Sequence, residues 1–388
     1  MQRSITEGLA GQLMSGFARD TGLDPPSKSP RRYLWTDAFA VCNYLGAWRE
    51  GRRQEDLDLA LRLIDQVHHT LGRYRPGDQR QGWLSGLDEA EGERRPTARG
   101  LRIGKPLDER RPDQTYDLML EWERDGQYYH YLTKWMHALA QAGRVTEEAR
   151  YIEQGIELAR AAHAAFAYGP PGGRKRMYWK MSVDLSRSLV PSMGQHDPLD
   201  GYLTFVELQA AAREIVGRPG DGLVHEITEL SMMCRGGSWE TDDPLGIGGL
   251  LADAARTAQL MRDGALTDSS LLGNILRSAL IGLEAFKGSS TLDLPAEHRL
   301  AFRELGLSIG LKGMSLVREA LVSQPDLYGN DANMRLVQAV MRFHPLAGTI
   351  EEFWSRPKSR ASHTWRDHKD INAVMLATSL EPDGFLRF

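Results

Sequence analysis

The chain has 388 residues, 41% of them hydrophobic and 26% charged, with a formal net charge of −4 and a pI near 6.3. These are the proportions of a water-soluble globular protein, and the mild acidity argues against a bulk nucleic-acid or acidic-membrane binder. No run approaches the ~18 apolar residues of a membrane span, and Met1 to Phe17 lacks the apolar core of a secretory signal. A cytoplasmic protein is therefore expected. The two cysteines, Cys42 and Cys234, form no CxxC pair and read as reduced core residues. No metal and no cofactor is expected.

Taken in order, nearly every periodic segment is helical. The patterns place helices at 3–18, 33–50 and 55–72, where Leu57, Leu61, Ile64 and Val67 share a face. Helices at 126–142, 146–166, 199–216 and 222–234 follow. Further helices are expected at 245–262, 268–287, 296–318, 331–342 and 368–380. Short turns that each carry a glycine, such as Glu50-Gly51-Arg52-Arg53 and Ala142-Gly143-Arg144, join helices in pairs, and glycine there suits a C-cap. The alternate connections are long: 73–125, 167–198, 235–244, 288–295, 319–330 and 343–367. Loops of that length inside a compact domain are usually functional.

The helix after each long loop begins with an acid beside small or aromatic residues. Trp35-Thr36-Asp37-Ala38-Phe39, Asp125-Gly126-Gln127-Tyr128-Tyr129 and Asp197-Pro198-Leu199-Asp200-Gly201 are examples, as are Asp242-Asp243-Pro244 and Asp367-His368-Lys369-Asp370. These helices are apolar on most sides and their partners carry more charge, the pattern of inner and outer helices. About six such hairpins close into a ring rather than an open solenoid, whose repeats are more uniform and need caps. The expected fold is all-α: a single α/α toroid domain over 1–388, with long loop insertions at about 73–125 and 167–198 on one face.

The hairpin count, the long-loop face and the acids at inner-helix starts resemble the six-hairpin glycosidase superfamily. Within it, Leu34-Trp35-Thr36-Asp37-Ala38-Phe39 is similar to the Leu-Trp-x-Asp-x-x-(Phe/Tyr) helix start of unsaturated glucuronyl and rhamnogalacturonyl hydrolases. That likeness implies a catalytic aspartate at Asp37. The N-acylglucosamine 2-epimerases share the ring and use paired histidines.

Seven of the nine tryptophans lie in or beside the long loops: Trp35, Trp83, Trp122, Trp179, Trp239, Trp354 and Trp365. Aromatic rings give large contact area at low entropy cost and suit sugar faces. Trp35, Trp83, Trp179 and Trp239 are the expected platform, although each could equally pin a loop onto the ring. Glycoside hydrolysis needs two carboxylates across a cleft. Asp37 and Asp125 are the expected pair, because each precedes an apolar helix among aromatics. Asp184 and Asp197 are further rim acids. On a helix Gln127, His130, Tyr131 and Lys134 share a face, with Tyr128 beside them, and His130 is a candidate general acid or base. Arg32 and Arg102 are the cations expected to hold an acidic substrate group, since guanidinium binds oxyanions bidentately. His196 and His368, each next to an aspartate, complete the candidates.

The expected function is a glycoside hydrolase acting on a small carbohydrate, anionic oligosaccharides included, by carboxylate acid/base catalysis. The alternatives are a sugar epimerase or isomerase, in which His130 with His196 or His368 exchanges a proton at carbon, and a non-catalytic helical binding protein. No nucleic-acid or membrane partner is expected. Gly246-Ile247-Gly248-Gly249 follows no strand and is not a dinucleotide fingerprint.

Overall fold

The computed structural model describes residues 2–170, 173, 175–192, 194–217 and 222–388. The chain divides into two compact units, Ala18–Gly237 and Met1–Phe17 with Ser238–Phe388. Helix α1 (Gln2–Asp20) opens the chain.

In the Ala18–Gly237 unit, α2 (Leu34–Gly51) and α3 (Gln54–Leu71) form the first hairpin. The connection from 73 to 125 carries two short helices, α4 (Glu89–Arg94) and α5 (Leu118–Glu123). Strand β1 (Gln127–Tyr128) runs directly into α6 (Tyr129–Thr146), which pairs with α7 (Ala149–Phe166). The next connection, read from the sequence as a loop, carries β2 (Ala167–Tyr168), β3 (Arg176–Met177), β4 (Lys180–Met181) and β5 (Ser188–Val190). Strands β1, β4 and β5 make an antiparallel sheet, with Tyr128 opposite Lys180 and Lys180 opposite Val190; β2 pairs with β3. Helix α8 (Asp197–Ala211) ends in a π-helical turn over Ala212–Val216, and α9 (Val224–Cys234) follows. In the expected turn after α8, Arg218, Pro219 and Gly220 lie outside the described residues.

Burial separates inner from outer helices. Every residue of α2 from Leu34 to Cys42 is buried, as is α6 from Trp135 to Gly143 and α8 from Leu203 to Leu208. A helix buried on all sides sits in a core, and an amphipathic one faces water. Accordingly α3 buries one stripe that includes Ala60, Leu63, Ile64, Val67, His68 and Leu71, and α7 one that includes Ile152, Gly155, Leu158, Ala159, Ala162, His163 and Phe166. Helix α2 packs on α6 and α6 on α8, each backed by its hairpin partner.

Two turn glycines behave differently from the expectation. Helix α2 is capped in the left-handed region by Arg52 (φ 52°) and α6 by Glu147 (φ 58°). Gly143 lies inside α6, where a Cβ would stand 2.5 Å from the Ile152 side chain of α7. Its lack of a side chain permits close hairpin packing rather than helix termination.

In the other unit, α10 (Pro244–Arg262), α11 (Ser269–Gly288), α12 (Ala301–Ser323) and α13 (Asn330–Met341) follow the expected order. The segment 343–367, expected as a loop, instead contains α14 (Pro345–Ser355), α15 (Pro357–Arg360) and α16 (His363–Asp367). Pro345 and Pro357 each occupy the first turn of their helix, where proline costs no hydrogen bond. Helix α17 (Lys369–Leu380) and the short α18 (Asp383–Leu386) close the chain. Helices α10 and α17 both pack on α12. A Cβ on Gly248 would stand 2.1 Å from the Gly306 carbonyl oxygen, so this glycine of the Gly-Ile-Gly-Gly run serves close backbone-to-backbone packing of α10 on α12. No helix among the described residues is long and apolar enough to cross a membrane.

Candidate active site at the starts of three inner helices

Each inner helix of the Ala18–Gly237 unit begins with a buried acid. At α2, Tyr33 is the extended cap residue. Asp37 Oδ2 accepts from the Tyr33 backbone N–H at 2.8 Å, and Oδ1 lies 3.3 Å from Arg32 Nη1. Arg32 also donates to the Thr21 carbonyl, and both side chains are buried. An acid reaching back to the cap satisfies an otherwise orphaned helix donor.

Asp125 is enclosed more completely. Its Oδ2 takes Arg102 Nη1 at 2.5 Å and Arg75 Nη2 at 3.0 Å. Its Oδ1 accepts from the backbone N–H groups of Gly104 and Gly126 at 3.0 Å and of Lys105 at 3.4 Å. Arg102 spends its remaining donors on the Arg73 and Thr70 carbonyls. Asp125 therefore ties the 73–125 connection to the start of α6, and Arg32 and Arg102 are both bound to internal partners.

Helix α6 starts at Tyr129, not Gly126, because Gln127 and Tyr128 join the β1–β4 ladder. Gln127 thus leaves the helical face expected for it. Its amide donates to the Arg99 and Val183 carbonyls and accepts from Leu101 N–H. Gly100 (φ +78°) lies so close that a Cβ would meet the Gln127 amide oxygen at 1.9 Å.

The rings gather next to this frame. Tyr128 stacks on His130 (5.4 Å, 25°) and lies 5.2 Å from Trp179; His130 and Trp179 are near-parallel at 6.3 Å. Trp122 meets Trp179 edge-on at 4.7 Å. Tyr131 stands perpendicular to His130 at 4.9 Å, with Trp35 6.4 Å and Tyr33 5.5 Å away. The Tyr33 and Tyr131 hydroxyls are 2.6 Å apart. Beneath them lies Lys180, fully buried, its ammonium 5.4 Å from the Tyr128 ring centre and bonded to the Glu121 carboxylate and to the Glu121 and Arg124 carbonyls.

Helix α8 supplies the acids that face these rings. His130 Nδ1 lies 3.8 Å from Asp197 Oδ1. One turn along, Asp200 accepts from Lys134 Nζ at 2.7 Å and Thr133 Oγ1 at 2.5 Å. The α6–α8 contact continues inward through His137 to Glu207 at 2.9 Å and Arg144 to Glu207 at 3.4 Å. Asp197 Oδ2 is buried with no hydrogen-bond partner among the described residues. Burial first, and then the neighbouring Asp200 charge, push its pKa up to about 7, against the Gly194 backbone hydrogen bond and Lys134. Burial and Lys134 push His130 down to about 4, with Asp200 opposing. Two neighbouring groups driven apart in this way make Asp197 and His130 candidates for acid/base roles.

No family model and no curated protein matches the sequence. Among solved structures, a GH76 α-mannanase from Bacteroides thetaiotaomicron is similar over 99% of this chain and 97% of its own, with a TM-score of 0.54 and 10% identity. A cellobiose 2-epimerase from Spirochaeta thermophila DSM 6192 is similar over 97% and 96%, with a TM-score of 0.50 and 11% identity. The fold shared with these structures is an α/α toroid.

The remaining candidates of the toroid are distributed as follows. Trp83 is buried away from the rings, against Gly92, with Arg73 4.5 Å above it. Asp184 is bound by Ser182, Ser186 and Arg80. Burial opposes its ionisation, but these hydrogen bonds and Arg80 outweigh it and bring its pKa to about 2. His196 is half-buried and directly precedes α8. Trp239 and His368 belong to the other unit, where Trp239 is buried and His368 is exposed, edge-on to Phe302. The structure thus brings together Trp35, Tyr128, His130, Trp179 and Asp197. It adds Lys134, Thr133 and Asp200 as a paired group. The i, i+3 spacing of Asp197 and Asp200 and the i, i+4 spacing of His130 and Lys134 were the available sequence signals.

Proposed function

We propose that this chain is a carbohydrate-active enzyme, a glycoside hydrolase acting on a small oligosaccharide, with Asp197 as its proton donor. The observation that carries this reading is the buried Asp197 carboxyl, held near a pKa of 7 beside a second carboxylate, Asp200, whose charge is balanced by Lys134. A carboxylic acid that keeps its proton near neutrality can protonate a glycosidic oxygen as the C–O bond breaks. Asp200 then faces the positive charge that builds at the anomeric carbon, and water completes the hydrolysis. Tyr128, Trp179 and Trp35 offer ring faces for the sugar. In this reading Asp37 and Asp125 hold the frame, their oxygens taken up by guanidinium and backbone donors.

The position of His130 supports a second reading, a sugar epimerase. It is stacked in the cradle, 3.8 Å from Asp197 and neutral at pH 7, so the two could pass a proton to and from a sugar carbon. Incubation with α-linked manno-oligosaccharides and with cellobiose in deuterium oxide separates the readings. New reducing ends without carbon-bound deuterium are expected of the hydrolase. Deuterium at carbon without cleavage selects the epimerase. An Asp197→Asn variant with full activity in either assay would overturn both.

A further inference from the structure

Basic side chains surround the cradle, and nearly all are spent internally. Arg32 pairs with Asp37, Arg75 and Arg102 with Asp125, Lys134 with Asp200, and Lys180 with Glu121. Lys105 differs. Among the described residues its ammonium makes no ion pair and no hydrogen bond, and it lies 5.7 Å from the Tyr33 ring centre. The side chain is half-buried.

Its backbone, by contrast, is tightly fixed. Lys105 N–H donates to Asp125 Oδ1, and its carbonyl accepts from Arg75. The preceding Gly104 (φ +91°) sits against the Arg32 carbonyl oxygen, where a Cβ would come within 2.2 Å. A rigid stem thus carries a half-desolvated cation to the cradle's edge. The charged groups nearest it are Glu123, which is exposed, and Asp125 and Lys180, which are committed to other partners. From Lys105 to Tyr33, on to Tyr131 and then to His130, the successive steps are 5.7, 5.5 and 4.9 Å. A continuous run of rings thus links the ammonium to the cradle.

We propose that Lys105 determines charge specificity, receiving the carboxylate of a uronic acid residue whose ring, or whose neighbour's ring, lies on the aromatic cradle. An unpaired ammonium that is partly out of water gains more from an anion than a hydrated one, because screening is weaker there. The inference rests on the cradle being a sugar site, and its test separates the two ideas.

Binding to the full-length protein is measured by calorimetry with matched disaccharides of glucuronic acid and of glucose, in α and β linkage, at low and at high salt. Wild type is expected to bind a uronic disaccharide at least tenfold more tightly than its neutral counterpart, with the preference shrinking in salt. Lys105→Gln is expected to remove the preference while leaving neutral-sugar affinity unchanged, and Lys105→Arg to keep it. Equal binding of neutral and acidic sugars by wild type, or a preference that survives Lys105→Gln, overturns the role of Lys105 alone. Failure of every sugar to bind overturns the cradle as a sugar site and this inference with it.

Discussion

His130 Nδ1 and Asp197 Oδ1 face each other at 3.8 Å across the α6–α8 seam. The same burial acts on them in opposite senses. It lowers the histidine to about 4 and raises the carboxyl to about 7, because each loses more by being charged out of water than it gains from its neighbours. At pH 6 both are neutral, so the pair carries no charge, while Asp200 and Lys134 pair with each other one turn away. This arrangement supplies a transferable proton in an apolar setting.

Activity should follow that proton. The rate is expected to fall about tenfold per pH unit above roughly pH 7 as Asp197 ionises. Asp197→Asn should lower kcat by about three orders of magnitude with the far-ultraviolet spectrum unchanged. A pH-independent rate between 6 and 9 would remove Asp197 as the acid.

Stability should report the same pair. The folded carboxyl of Asp197 binds its proton more tightly than the unfolded one, so its contribution is complete below about pH 4 and is lost as pH rises toward 7. Relative to wild type, Asp197→Asn should gain stability across that window by up to about 1.4 kcal/mol per pH unit and then level off. His130 has the reverse sign, since its lowered pKa costs stability as pH falls from 6.5 through 4. The advantage of His130→Asn over wild type should therefore be greatest at pH 4 and constant above 6.5. Melting temperatures across pH 4–8 for the three proteins provide the check.

Gly194 abuts the acid. A Cβ there would stand 2.3 Å from Asp197 Oδ2, so Gly194→Ala must displace the carboxyl. A 1 Å displacement of a reacting group costs on the order of 100-fold in rate. The expected result is that loss in kcat with little change in melting temperature.

Two tryptophans should separate by assay. Trp179 is half-buried between Tyr128 and Trp122, and Trp179→Ala should raise KM about tenfold, in keeping with ring contacts of ~1.5 kcal/mol. Trp83 is enclosed, so Trp83→Ala should instead cost about 3–5 kcal/mol of stability, read by denaturant titration with KM unchanged.

Asp125→Ala leaves Arg102 and Arg75 facing a void. Breaking a buried pair in this way costs about 3–5 kcal/mol. The variant is expected to unfold at much lower denaturant, and any loss of activity should track the folded fraction. Full stability with abolished turnover would instead make Asp125 a participant in the chemistry.

The architecture was legible in the sequence for a specific reason. Inner helices such as α2 and α6 are apolar on all sides, while α3 and α7 bury a single stripe, and that contrast survives in a linear text. Helix α14 lies in a segment expected as a loop; it starts at Pro345, a residue that suits a first turn but would break a helix in mid-course, and position within an element is not written locally. The short strands were missed because two-residue ladders such as β1–β4 have no period to detect.

The sequence by itself determined which residue types stand at the helix starts: an acid beside aromatics at Asp37, Asp125 and Asp197. Only the tertiary structure decided what surrounds each acid. Asp37 meets a guanidinium and a cap N–H, and Asp125 meets two guanidinium groups and three backbone donors. Asp197 meets a neutral histidine and a second carboxylate. A carboxyl's proton affinity is set by the donors, charges and water within a few ångströms of it. In this chain those neighbours come from positions as far apart in sequence as Lys134 and Asp200.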